Sequence, residues 1–348
     1  MAVGTRDRAN PLSGDVHFYV EPDSYPLRQA VRWEAEGRYD DARMMRALGR
    51  YPQAVWFTKG SAQEVGRRLL STLAAAAGQQ ALPVLVAYNV PGRDSSQYSA
   101  GGAAGEAAYG AWIDAFASAI GGREAVVILE PDGLALLTGA GAEERYREIG
   151  GAVRRLKRNP RTAVYVDAGH SAWHPPNAMA GRLLRAGIAE ADGFFLNVSN
   201  YRANGDLIDY GTRLSKCLSF RRRTGATGCS DADIDSVPAD PRELTHFVID
   251  TSRNGQGPWT PPRGAYSDPE DWCNPPGMGL GARPTARTDN GLVDAFLWVK
   301  RPGESDGSCT RGTAGPEDPE YGTVDPPAGA WWAESALALA KLAAPPLR

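Results

Sequence analysis

Short apolar runs recur along the chain and alternate with helical patterns. The runs are rich in Val, Ile, Leu and Phe and cover residues 54–57, 83–90, 125–129, 162–166, 193–198, 246–249 and 295–299. The helical patterns cover residues 63–77, 104–120, 143–157 and 178–189, with a last one over 331–342. Strands that alternate with helices are typical of βαβ units and a parallel sheet. Nearly continuous apolar runs are expected where helices cover both faces of such a sheet.

Seven such runs favour a closed or nearly closed barrel over an open sheet. The chain has 348 residues, about the size of one α/β barrel, and no linker divides it. We therefore predict the α/β class, with a distorted seven-stranded parallel β/α barrel in a single domain over residues 1–348. In that architecture the active site is expected at the C-terminal ends of the strands.

Two stretches interrupt the alternation. Residues 202–245 are long and become polar and Asp-rich in their second half, and residues 256–290 are dense in proline and glycine. Long loops inside a compact domain are usually functional. Both stretches are expected to lie as loops over the C-terminal ends of the strands.

Charge and hydropathy exclude several classes of protein. The net charge is −3, which provides no basic surface for nucleic acid. No apolar run approaches the roughly 18 residues that a membrane span requires. Residues 1–10 are polar and lack the apolar core of a signal peptide, which fits either a cytosolic chain or a mature domain without its leader. We expect no nucleic-acid or membrane partner.

The four cysteines all lie in the C-terminal part of the chain. They permit two disulfides, and the spacing alone leaves three pairings open. No Cys-x-x-Cys pair or Cys/His cluster indicates zinc, so we expect no metal and no cofactor. The residues are Cys217, Cys229, Cys273 and Cys309.

Polar side chains follow nearly every predicted strand. A single carboxylate at a strand end is often a helix N-cap, but capping does not explain several at the same end of a sheet. Like charges that are brought together raise one another's pKa, which produces proton donors. The residues at these ends include Asp94, Asp132, Asp167, His170, Asn200, Asp250, Lys300, Glu304 and Asp306.

Carboxylates without metal ligands fit the hydrolysis of glycosides. One carboxylic acid protonates the leaving oxygen, and a second carboxylate activates water or attacks carbon. Trp56, Trp173 and Trp272 lie next to these motifs, where flat indoles could pack on sugar rings. No Gly-x-Ser-x-Gly nucleophile elbow or P-loop is present. His170 is expected to orient sugar hydroxyls or a neighbouring Asp.

At these residues the sequence resembles glycoside hydrolase family 6, the inverting cellulases, from residue 10 to the helix around 331–332. The motifs are AYNVPGRD at 87–94, ILEPD at 128–132, YVDAGH at 165–170, VIDTSRNG at 248–255, WCNPPG at 272–277, LWVK at 297–300 and PGESDG at 302–307. The resemblance implies a distorted parallel barrel and hydrolysis of β-1,4-glucosidic bonds in cellulose or related glucans.

The resemblance also implies roles for individual residues. Asp132 matches the catalytic acid, Asp94 the aspartate that controls its protonation, and Asp306 the candidate base. Asp167 matches a supporting aspartate, and Tyr88 matches the tyrosine beneath the distorted sugar ring. The remaining residues expected to contact the glucan are Trp56, Ser99, His170, Trp173, Asn200, Trp272, Lys300 and Glu304.

The sequence departs from the family near Asp94. The family usually has a cysteine where Ser95 stands, paired with one beyond the acid, and here both are missing. The loop over residues 95–102 is therefore expected to be less tethered.

The remaining cysteines are expected to pair as Cys273 with Cys309 and Cys217 with Cys229. The first pair closes a loop that carries Trp272 at one end and Asp306 near the other. Disulfides imply an oxidising compartment, so we expect a secreted monomer.

Three functions remain open at this point. A short loop after Asp94 favours an endoglucanase with an open cleft. The lengths of 202–245 and 310–330 allow a cellobiohydrolase with a closed tunnel. A non-catalytic glucan-binding domain is the third, and the presence of every expected aspartate argues against it. We expect the first.

Overall fold

Seven parallel strands form the centre of the molecule and pair in chain order. The computed structural model describes residue 12, residues 15–139 and residues 141–347, so the polar segment 1–10 lies outside the described residues. All the neighbouring strands are parallel, in the order β1 to β7. They are β1 (Val55–Phe57), β2 (Val84–Ala87), β3 (Ala125–Leu129), β4 (Thr162–Asp167), β5 (Gly193–Leu196), β6 (His246–Asp250) and β7 (Val293–Leu297). The predicted seven-stranded parallel α/β barrel is confirmed.

Helices lie between the strands and at both ends of the described chain. They are α1 (Tyr25–Ala35), α2 (Tyr39–Gly49), α3 (Ala62–Gly78), α4 (Glu106–Ile120), α5 (Ala142–Leu156), α6 (Pro176–Arg185), α7 (Asn204–Thr224), α8 (Asp231–Asp235) and α9 (Ala333–Lys341). The five predicted helices correspond to α3, α4, α5, α6 and α9. Their ends differ from the predicted ends by a few residues.

The interpretation of residues 202–245 as a loop over the active site is wrong for most of that stretch. Helix α7 occupies its first half and packs on the outside of the barrel, where Gly211 lies so close to Phe247 that a Cβ would collide with the ring. Gly225 ends α7 in the left-handed conformation, as glycine commonly does. Arg202 is the residue of this stretch that reaches the cleft.

Helices α1 and α2 were not predicted from the sequence. Each contains several charged residues, which interrupt its apolar stripe in the sequence. Ala30, Trp33, Met45 and Leu48 are buried from these helices, in a cluster that also includes Leu337 of α9. The two helices therefore pack beside the C-terminal helix.

Two apolar layers stabilise the barrel. Side chains at alternating strand positions, such as Val86, Ile128 and Phe195, fill the interior. The alternate positions, such as Leu85 and Val127, pack against the surrounding helices. The strands are buried on both faces, which is why their sequences are apolar without interruption.

The barrel closes imperfectly between its two edge strands. Within the part of the chain that the structure describes, β1 and β7 share no strand ladder. The amide of Ala54 donates to the carbonyl of Trp298 at 2.9 Å, and Trp56 Nε1 donates to the carbonyl of Val299 at 2.7 Å. These bonds hold the edges together, and the barrel is therefore distorted.

Both disulfides form with the predicted pairings, Cys217–Cys229 and Cys273–Cys309. The first ties α7 to the segment before α8 on the outside of the barrel. The second joins the wall that carries Trp272 to the loop after Asp306. Among the described residues, no helix combines the length and the apolar character needed to cross a bilayer.

Candidate active site

A cleft of about 870 Å³ lies at the C-terminal ends of the strands. It brings together all the residues predicted for the site except Asp167. Those that line it are Trp56, Tyr88, Asp94, Ser99, Asp132, His170, Trp173, Asn200, Trp272, Lys300, Glu304 and Asp306. The site therefore lies at the expected end of the barrel.

Asp132, the predicted acid, lies in the turn after β3. Its backbone has φ of 64°, in the left-handed region, which turns the chain sharply at the strand end. Burial raises the pKa of its carboxyl well above the ordinary value, and the nearby Asp167 and Asp94 raise it further. A carboxyl in this environment stays protonated where an ordinary aspartate is ionised, as a proton donor must.

Asp167 lies behind the cleft. Its Oδ2 accepts hydrogen bonds from the amides of Leu134 at 3.0 Å and Ala135 at 2.8 Å, and its Oδ1 accepts one from Gly169 at 3.0 Å. These bonds fix the turn that carries Asp132. Asp167 is therefore a positioning residue, and its charge also acts on the pKa of Asp132.

Glu130 is a further positioning residue that the sequence did not indicate. It is fully buried, and its carboxylate accepts hydrogen bonds from the amides of Asn89 at 2.9 Å and Val90 at 3.0 Å. Burial raises its pKa to about 7 despite these bonds. It joins the turn after β3 to the segment between Tyr88 and Asp94. The EPD motif contained this residue, but its buried contact is visible only in the fold.

Asp94 begins the short loop after β2. Its Oδ2 accepts a hydrogen bond from the amide of Ser99 at 2.6 Å, and Arg93 Nε donates to the Ser99 carbonyl at 3.0 Å. Burial raises the pKa of Asp94. The loop, expected to be less tethered without its disulfide, is thus held by non-covalent bonds.

Asp306 is enclosed by cations and hydrogen-bond donors. Its Oδ2 accepts from Arg253 Nη1 at 2.8 Å, Tyr201 Oη at 3.0 Å and the Asn274 amide at 3.0 Å. Burial alone would raise its pKa, but Arg253 and Lys300 outweigh burial and lower it to about 2. Asp306 is therefore ionised where Asp132 is protonated.

The polar partners of Asp306 were only partly predicted. Arg253 lies in the VIDTSRNG motif at the end of β6, and this position at a strand end was the signal from which it could have been predicted. Tyr201 follows a strand end too. Asn274 comes from a loop distant in sequence, and nothing in the pattern placed it against Asp306.

Aromatic side chains line much of the cleft. The rings of Trp56 and Tyr88 meet edge to face with centroids 5.5 Å apart. His170 and Trp173 lie with centroids 5.2 Å apart. Burial and, to a smaller extent, Arg202 lower the pKa of His170 to about 3, so its imidazole is neutral and can exchange hydrogen bonds with hydroxyls.

The cleft also contains residues that the sequence did not single out. Tyr98 belongs to the loop after β2, and Asp271 precedes Trp272. Tyr25 of α1, Lys59 and Arg68 line the same cavity. Helix α1 was itself unpredicted, so its contribution could not be foreseen.

One group of potential metal ligands lies outside the cleft, formed by Cys309, Asp318 and Asp325. Cys309 is in a disulfide, and Asp318 pairs with the buried Arg311 at 2.7 Å. Because the Cys309 sulfur and the Asp318 carboxylate already have these partners, the group lacks the free ligand atoms that a metal site needs.

Comparison with known proteins places this cleft in a family. The family described as Glycosyl hydrolases family 6 matches residues 13–343. Endoglucanase 1 of Streptomyces halstedii is 38% identical over 320 residues, covering 90% of this chain and 89% of that protein. The probable 1,4-beta-D-glucan cellobiohydrolase C of Aspergillus terreus is 31% identical over 323 residues, covering 82% of this chain and 66% of that protein.

A solved structure agrees with these relatives. The endoglucanase Cel6 from Mycobacterium tuberculosis, in complex with methyl-cellobiosyl-4-deoxy-4-thio-β-D-cellobioside, is 37% identical with a TM-score of 0.77. The match covers 95% of this chain and 98% of that one. The chain spans 58% and 62% of the length of two other curated relatives.

Proposed function

We propose that this chain, which belongs to glycosyl hydrolases family 6, hydrolyses β-1,4-glucosidic bonds in cellulose or a related β-glucan. The observation that carries the proposal is the pair of carboxyls in one cleft with opposed protonation states. Burial raises the pKa of Asp132, whereas Arg253 and Lys300 hold Asp306 ionised. Glycoside hydrolysis by two carboxyl groups needs this division between acid and carboxylate.

In the proposed reaction Asp132 donates its proton to the leaving oxygen, and a water attacks from the opposite face of the sugar. We propose inversion, since the family resemblance implies it. Asp306 is the candidate proton acceptor. The low pKa of Asp306 makes it a weak base. Its carboxylate would therefore accept the proton of the attacking water late in the reaction, as positive charge develops on the sugar. Asp94 would assist by holding the water and by keeping Asp132 protonated.

The aromatic residues would bind the glucan. Trp56, Tyr88, Trp173 and Trp272 all line the cleft. Indole rings pack on the apolar faces of sugars, and they stabilise the bound glucan by burying apolar surface. Lys300, Glu304, Asn200 and His170 would hold sugar hydroxyls. No cofactor takes part in this proposal.

We propose endo action, with cellobiose-releasing exo action as the alternative. The endo reading is supported by relatives named endoglucanase at 35–38% identity and by the short loop after Asp94. The exo reading is supported by the relatives named cellobiohydrolase. Carboxymethyl cellulose tests the choice. Endo action lowers viscosity early, whereas cellobiose as almost the sole early product with unchanged viscosity would establish exo action.

We also propose that the chain acts as a secreted monomer. Two disulfides support an oxidising compartment, because thiols are kept reduced in most cytosols. Non-reducing peptide mapping of the protein from its native source tests this. Free thiols at all four cysteines would indicate the cytosol, and sedimentation would decide the oligomeric state.

A further inference from the structure

Tyr98 crosses the cleft from one wall to the other. It belongs to the loop after β2, yet its ring lies directly on Gly307, where a Cβ would collide with it. The ring also lies 6.0 Å from that of Trp272. Gly307 follows Asp306 on the β7 side of the cleft. The tip of one wall therefore touches the wall that bears the candidate base.

A hydrogen bond fixes this contact. Tyr98 Oη donates to Glu270 Oε1 at 2.8 Å. The other oxygen of Glu270 accepts from the amides of Thr310 at 2.8 Å and Arg311 at 2.6 Å. The Cys273–Cys309 disulfide joins the two segments that carry these groups. Glu270 is thus anchored on its own wall, and its bond to Tyr98 joins that wall to the loop after β2.

The near end of the same loop is held at the catalytic centre. The amide of Ser99, the residue after Tyr98, donates to Asp94 Oδ2 at 2.6 Å. The loop therefore connects Asp94 on one side of the cleft to Glu270 on the other. No disulfide secures this loop, since Ser95 stands where the family usually has its cysteine.

We propose that Tyr98 is a specificity-determining residue that sets the balance between internal cutting and repeated cutting on one glucan chain. This inference rests on the proposed function. With Tyr98 bonded to Glu270, the two walls of the cleft meet. A glucan chain outside the cleft must then thread beneath the tyrosine ring to enter, and a chain already inside remains held after a cut. With the bond broken, the cleft opens and a chain can enter from the side. The bond is partly exposed and can break and reform within the reaction cycle.

Tyr98→Phe removes only the hydroxyl, with its side-chain hydrogen bonds to Glu270 and Thr310. It keeps the ring on Gly307 and Trp272 and removes the donor to Glu270. Tyr98→Ala removes the ring as well. Tyr266→Phe is the matched control, because the Tyr266 hydroxyl donates to Glu320 on the same wall without lining the cleft. Glu270 itself is a poor target, since it also anchors two backbone amides.

The readout is the ratio of soluble to insoluble reducing ends released from swollen cellulose, together with viscosity loss per bond cut in carboxymethyl cellulose. Loss of one such hydrogen bond should favour the open cleft by roughly fivefold, and we expect the ratio to fall about twofold or more in Tyr98→Phe. Tyr98→Ala should lower it further, and Tyr266→Phe should match the wild type.

A purely structural role for Tyr98 predicts a different result. It would lower the melting temperature and the rate on every substrate while leaving the ratio unchanged. An unchanged ratio in Tyr98→Ala, with the wild-type chain active on both polymers, would overturn the inference and leave the proposed function standing. A wild-type chain that released no reducing ends from either polymer or from cellohexaose would overturn both.

Discussion

The ammonium group of Lys300 lies 3.1 Å from Oδ1 of Asp306. Both side chains are almost completely buried, so this attraction is weakly screened. Lys300 helps to keep Asp306 ionised, and it also lowers the pKa of Asp132 against the effects of burial, Asp167 and Asp94. One lysine thus acts on both carboxyls of the proposed reaction.

This relationship predicts opposite shifts in two variants. The proposed reaction needs protonated Asp132, so kcat/KM should fall as pH rises through the raised pKa of that group. Lys300→Met removes a cation that lowers this pKa, and the alkaline limb should move to higher pH. Asp94→Asn removes an anion that raises it, and the limb should move to lower pH.

The measurement is the pH dependence of kcat/KM on cellohexaose, and residual rates suffice because only the position of the limb matters. Glu334→Gln, at an exposed position of α9, is a suitable control for loss of a charge. Shifts of the same sign in both cleft variants would contradict the electrostatic account of Asp132.

Replacement of the proposed acid should remove most of the activity. General acid catalysis contributes roughly two to four orders of magnitude, and we expect a loss of that size in Asp132→Asn on cellulose. The fold should persist, since the raised pKa already keeps the native carboxyl neutral. Circular dichroism checks the fold, and Asp209→Asn on the exposed side of α7 controls for the substitution. A variant with more than about a tenth of the wild-type rate would exclude Asp132 as the proton donor.

Inversion can be observed directly. If a water between the sugar and a distant carboxylate attacks the anomeric carbon, the α-anomer should form first. Inverting enzymes leave room for such a water by holding their carboxyls about 6.5–9.5 Å apart. Proton NMR during the first minutes of cellohexaose hydrolysis distinguishes the anomers before mutarotation mixes them. The β-anomer as initial product would indicate a covalent intermediate and refute the inverting mechanism.

The two disulfides should differ in their effect on activity. In the chain-entropy account, their loops of 12 and 36 residues stabilise the fold by about 3 and about 4 kcal/mol, respectively. Paired Cys→Ser replacement at 217 and 229 should lower the melting temperature but leave kcat intact, since α7 lies outside the barrel. Paired replacement at 273 and 309 should lower both, because Asn274 next to Cys273 donates to Asp306. Equal activities in the two variants would show that the second disulfide does not support the site.

The strand pattern was predictable because a doubly covered parallel strand must be apolar along its whole length. That requirement is local, and β3 was predicted to the residue, from Ala125 to Leu129. Helices α1, α2 and α7 were missed for the opposite reason. Each buries one stripe of residues, and charged residues interrupt the apolar pattern along its sequence. Nothing local marked Gly211 as the place where α7 approaches Phe247.

The sequence by itself determined the barrel class and the strand ends that carry Asp94, Asp132 and Asp306. Those features are set by short-range patterns, because the ends of parallel strands meet at one edge whatever the loops do. Only the tertiary structure decided which carboxyl is protonated and how the walls of the cleft meet. The burial of Asp132, the cations around Asp306 and the bond from Tyr98 to Glu270 join segments far apart in the chain. Their energies depend on distance and solvent exclusion, which no local pattern contains.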